Sequence, residues 1–157
     1  MKKFLAMSIL AACSSSVFAD VNYSLAITEP EHPLGNVSVE FPETAQAHLD
    51  VKLPAWRTGR YEILNLANGV RFFDAKDDDG KPLKWEKIDH STWRVHLNEP
   101  THVNIDYQVY ANELGKRARH IDDSHAFIDA SGFFMFSESF RQDPVTVKLD
   151  VPKAWRS

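Results

Sequence analysis

The chain has 157 residues, with 18 Lys and Arg against 22 Asp and Glu and a formal net charge of −4. That length suits one domain plus a processing segment, and the acidic balance argues against nucleic acid or an anionic membrane surface as partner. A single cysteine, Cys13, rules out an internal disulfide framework.

The chain opens on a leader. Met1-Lys2-Lys3 is basic, residues 4–12 (FLAMSILAA) are apolar, and small residues follow. The apolar run falls well short of the roughly 20 residues that span a bilayer, so it reads as an export signal. Val17 and Ala19 sit where a signal peptidase wants small residues before Asp20. Leu10–Cys13 (LAAC) offers a second reading, a lipobox that would lipidate Cys13. Ordinary cleavage is favoured, which makes residues 1–19 the signal and residues 20–157 one exported domain, with the periplasm as the expected destination. Cleavage removes Lys2 and Lys3, leaving 16 basic against 22 acidic residues and a net charge of −6. No later segment is apolar enough to cross a membrane.

From Asp20 onward the dominant pattern is period-two alternation. Val21, Tyr23, Leu25 and Ile27 share one face, followed by Val37, Val39 and Phe41, then Leu49, Val51 and Leu53. The pattern returns at Trp93, Val95 and Leu97, at Val103, Ile105, Tyr107 and Val109, and at Val145, Val147, Leu149 and Val151. One apolar and one wet face per strand suit antiparallel sheets. Asp77–Pro82 (DDDGKP) predicts a hairpin turn between RFFDA and LKWEK, with Gly80 supplying a positive φ. Residues 61–69 (YEILNLANG) fit either a short helical turn or a bulged strand. The expected fold is therefore an all-β antiparallel sandwich of roughly eight to ten strands, with a polar excursion between residues 110 and 144.

Candidate chemistry is sparse. His90, His96, His102, His120 and His125 match no metal-ligand spacing of the helical kind, and no HExxH occurs, so no metal site is expected in this chain. No G-x-S-x-G elbow is present, and the lone cysteine lies in the leader. Trp56, in LPAWRTGRY, plugs the end of a sandwich or meets another surface. The densest run is residues 110–127, YANELGKRARHIDDSHAF, where Glu113–Arg117 and Arg119–Asp122 are candidate ion pairs. The strongly apolar FIDASGFFMF follows it directly. Charge beside apolar bulk marks a place where ionisable groups can be partly desolvated and so can bind.

Five blocks along the mature chain carry a family resemblance. They are P-x-W-x-x-G-x-Y (54–61), D-G-K-P-L (79–83), T-W-R-V (92–95), Y-A-N-E-L (110–114) and H-x-D-x-x-H-A-F (120–127). In this order they resemble the N-terminal domain of the M61 peptidases, the glycyl aminopeptidases. Where many relatives have Trp-Thr-Pro-Gly, this chain has Trp56-Arg57-Thr58-Gly59. The resemblance implies a β-rich, non-catalytic module, here a fragment ending at VPKAWRS, with no peptidase activity of its own. It also implies a gluzincin-type catalytic domain carrying HExxH and a PDZ-like domain in the full-length protein. There, zinc polarises the scissile carbonyl of a peptide substrate and activates water.

Related zinc aminopeptidases take an acidic side chain from such a β-domain to hold the substrate's α-ammonium. By that analogy Glu113 is the expected residue, with Tyr110, Arg119 and Asp122 shaping the surface towards the catalytic domain. The same stretch could also serve only to join the two domains. Two further readings compete: a free-standing exported module that holds a peptide or glycan on residues 110–136, and a metal hydrolase built on His120, Asp122 and His125.

Overall fold

A computed structural model describes residues 20–56, 63–113 and 119–155. Within them the chain forms β1 (Val21–Ala26), β2 (Leu34–Thr44), β3 (His48–Lys52), β4 (Val70–Lys76), β5 (Trp85–Lys87), β6 (Thr92–His96) and β7 (Thr101–Tyr110). The short β8 (His120–Ile121) and β9 (Ala126–Phe127), one helical turn α1 (Ala130–Phe133) and β10 (Val145–Asp150) complete it. One sheet runs in the order β10-β1-β2-β7-β4, a second in the order β3-β6-β5, and β8-β9 form a separate hairpin.

The alternating residues become the core. Val21, Tyr23 and Leu25 of β1, Val37, Val39 and Phe41 of β2, and Val103, Ile105, Tyr107 and Val109 of β7 are buried from the large sheet. Leu49, Val51, Trp93 and Val95 meet them from the small sheet. The expected all-β sandwich therefore forms. On the wet face of the small sheet, Arg94 of β6 donates twice to Asp50 of β3, from Nε and Nη2, both at 2.7 Å. That guanidinium holds the Asp50 carboxyl below its ordinary range.

Two details depart from the sequence reading, and a third resolves a choice it left open. First, β10 joins β1 in parallel, Val21 opposite Val145 and Leu25 opposite Leu149. Period-two alternation carries no strand direction, and the long crossover before β10 is what parallel pairing requires. Second, the Asp77 turn forms, with Asp77 Oδ1 accepting from the amides of Asp79 and Lys81 and Gly80 at φ 76°. It is no simple hairpin, because β4 belongs to the large sheet and β5 to the small one. The two chains share a single bridge, Lys76 to Pro82, and then diverge. Third, residues 66–69 form a 3-10 turn, which favours the helical-turn reading of LNLANG. Tyr61, Glu62, the Arg57-Thr58-Gly59 corner and the leader lie outside the described residues.

The polar excursion is more than a surface loop. Ile121, Phe133 and Met135 are fully buried. The Tyr107 hydroxyl donates to Phe133 O at 2.7 Å and accepts from Met135 N at 2.9 Å, while Tyr23 donates to Met135 O at 2.7 Å. Phe136 exchanges two backbone bonds with Lys52 of β3. Much of the apolar run FIDASGFFMF is thus spent inside the core. It does not lie beside the charges as a free binding surface: Phe133 and Met135 are buried, and the two tyrosine hydroxyls satisfy their backbone groups inside the core.

Candidate functional site

The stretch leaving β7 folds as a small meander. Asn112 bridges His120, Glu113 N donates to Arg119 O at 3.0 Å, and Ile121 N donates to Ala111 O at 2.8 Å. Residues 114–118 lie outside the described residues, so the Arg117 half of the expected pair with Glu113 is not placed. After β8 the chain reverses at Asp122–His125, where Asp122 N donates to His125 O at 3.0 Å. Asp122 makes this turn by side-chain mimicry: its Oδ1 accepts from Ser124 N at 2.8 Å and His125 N at 2.9 Å.

Four residues were expected to matter here, and their environments differ. Tyr110 and Glu113 are exposed. Arg119 is only 4% exposed. Its Nη1 donates to Leu66 O at 2.8 Å and Gly132 O at 3.0 Å, tying the 3-10 turn to α1. Its Nη2 stands 3.7 Å from Glu113 Oε1, a carboxylate contact that the pairing read from the sequence, Arg119 with Asp122, did not include. The guanidinium lies flat against Gly69, where a Cβ would come within 2.6 Å of Arg119 Cζ. Charge in the sequence suggested surface; two distant backbone segments, near residues 66–69 and 132, supply the pocket instead.

Asp122 belongs to a different cluster. His120 Nε2 lies 3.0 Å from its Oδ2, and His125 Nδ1 lies 3.2 Å from its Oδ1. The two imidazoles are 5.4 Å apart between centroids. One ligand-capable atom from each of the three residues falls within 4.8 Å of the others. The His120 ring, followed by the Ser124 hydroxyl and the amides of His125 and Ser124, holds the Asp122 carboxyl well below the usual carboxylate range. Helical spacing rules concealed this convergence. A strand places His120 and Asp122 on one side, and the turn then folds His125 back over them.

A second feature lies on the large sheet. Val145, Val147 and Leu149 of β10 point to the same side as the buried Val21, Tyr23 and Leu25 opposite them, yet they are 58%, 46% and 52% exposed. The alternation predicted a buried face here. The small sheet has three strands against five and does not reach this edge. An open groove of about 730 Å³ continues the exposed face, lined by Val21, Phe41, Leu53, Trp56, Phe140 and Val145 among others. Trp56, whose two readings were plug or contact surface, lies on this groove and is exposed.

A β-sandwich carrying these blocks in this order is the class of domain found at the N-terminus of such peptidases. The Peptidase M61 N-terminal domain model matches residues 22–157, and the chain belongs to that family. Its fold is similar to that of an aminopeptidase N family protein from Idiomarina loihiensis, at a TM-score of 0.78 and 23% identity over 85% of this chain. An M1 zinc metallopeptidase from Deinococcus radiodurans is similar at a TM-score of 0.51 and 16% identity over 87% of this chain. The chain spans 22% of the first of these proteins and 32% of the second. No curated protein matches the chain in sequence. No helix among the described residues is long and apolar enough to cross a membrane.

Proposed function

We propose that this chain is the non-catalytic N-terminal domain of an exported zinc aminopeptidase, and that β10 is where the catalytic domain docks. The carrying observation is the uncovered apolar side of β10. Val145, Val147 and Leu149 continue the core face of the large sheet and stay about half exposed among the described residues. An uncovered apolar sheet face next to a groove is the mark of a protein interface. Exposed β10 also leaves its outer edge unpaired, and an uncovered edge invites pairing or coverage.

In this reading Glu113 meets the substrate's α-ammonium. Its carboxylate is exposed, and Arg119, fixed by two carbonyls, stands 3.7 Å away and orients it. Tyr110 is likewise exposed at the end of β7, while Asp122 stands in the cluster with His120 and His125. The leader delivers the whole enzyme across the inner membrane. Catalysis, through zinc, belongs to residues this chain does not contain, since it has no HExxH.

The full-length enzyme tests both halves. Val147→Asp should leave this domain folded but separate the two domains, so that limited proteolysis releases it; an unaltered digestion pattern would count against docking through β10. Glu113→Gln should raise KM for free-amine peptides with little change in kcat, whereas an unchanged KM would sink the role given to Glu113.

A further inference from the structure

We infer that His120, Asp122 and His125 form a binding site for a divalent transition-metal ion of the zinc class, built on the β8-β9 turn. This does not depend on the docking of any other domain.

The donor set points to the metal. Two imidazoles and one carboxylate suit zinc and its neighbours, whereas calcium wants six to eight oxygens and magnesium retains most of its water. The spacing is also close to what is needed. Ligands about 2.0–2.1 Å from a tetrahedral ion stand about 3.3 Å from one another. Here His120 Nε2 stands 3.0 Å from Asp122 Oδ2 and His125 Nδ1 stands 3.2 Å from the other oxygen, Oδ1, while one ligand atom from each residue lies within 4.8 Å of the others. The remaining adjustment falls on His125, whose side chain is 62% exposed and whose Nδ1 would exchange the Ser124 hydroxyl, 2.9 Å away, for the ion.

Each ligand is prepared for the role. The turn amides and the Ser124 hydroxyl take Asp122 Oδ1, which leaves Oδ2 directed at His120. Hydrogen bonds that fix a ligating carboxylate are what orient such a ligand. His120 is nearly buried and turns Nε2 towards Asp122 at 3.0 Å, so that nitrogen is the one its ring offers to the cluster. His125 packs its ring against that of His120. A bound ion would pin the reversal at residues 122–125, and Trp155 Nε1, which donates to Asp123 O at 3.3 Å, would connect that pinning to the segment after β10.

Titrating the chelator-treated, tag-free chain with zinc by calorimetry decides the matter, with thermal unfolding as the second readout. One zinc per chain is expected, with a rise in Tm. His125→Ala, at an exposed ring, should keep the fold and lose both the binding and the Tm rise. Asp122→Asn should weaken binding, and His90→Ala, elsewhere on the surface, should change neither readout. Absence of zinc uptake by the unaltered chain would overturn the site. Equal uptake by His125→Ala, or loss in His90→Ala as well, would do the same, because the binding would then be spread over surface histidines.

Discussion

Arg119 and Gly69 show how a charged side chain comes to be structural. The guanidinium is buried, and it lies where any side chain at residue 69 would have to be. Gly69→Ala must therefore push Arg119 off Leu66 O and Gly132 O, and those buried carbonyls lose their donors. The expected loss is about 1–3 kcal/mol, read as a lowered midpoint in urea unfolding. A wild-type midpoint would mean that the guanidinium has another resting place. None of this is visible in the local sequence, because Arg119 takes its partners from segments near residues 66 and 132. His120, Asp122 and His125 were legible as a group, yet their convergence was not. Period-two placement of the first pair and the turn-forming Asp122-Asp123-Ser124 were the available signals.

Elements show the same division. β1, β2, β3, β6 and β7 follow from alternation because each lays one apolar face on the core, and the pattern reports that directly. β10 carries the same pattern and remains exposed, since its fate depends on how far the opposite sheet extends. The crossing segment at residues 133–136 was read as surface, but Tyr107 and Tyr23 hold its backbone inside. Tyr107→Phe leaves Met135 N and Phe133 O without this partner in the core. The expected cost is about 1–3 kcal/mol, seen as a drop in Tm with the β-sheet spectrum retained. An unchanged Tm would show that the segment is held by its side chains alone.

Across the whole molecule the same two tyrosines set the alkaline limit. Burial pushes the Tyr23 hydroxyl up to about 12 and raises that of Tyr107 as well. Below about pH 10 the folded and unfolded chains both keep these protons, and the stability is fully present. Above it the unfolded chain ionises while the native one does not, so stability falls as pH rises from about 10 towards 12. Denaturant midpoints across that range should drop steeply, and Tyr23→Phe should flatten the fall; a slope unmoved by that change would assign the alkaline loss to other groups.

The fold class and the family blocks were determined by the sequence alone, because periodicity and short motifs are local properties of the chain. Only the tertiary structure decided that Arg119 is inside, that β10 runs parallel to β1 with its apolar side bare, and that His120, Asp122 and His125 meet. Each of these depends on which distant backbone arrives beside a residue, and contacts across such separations leave no mark in the order of neighbouring side chains.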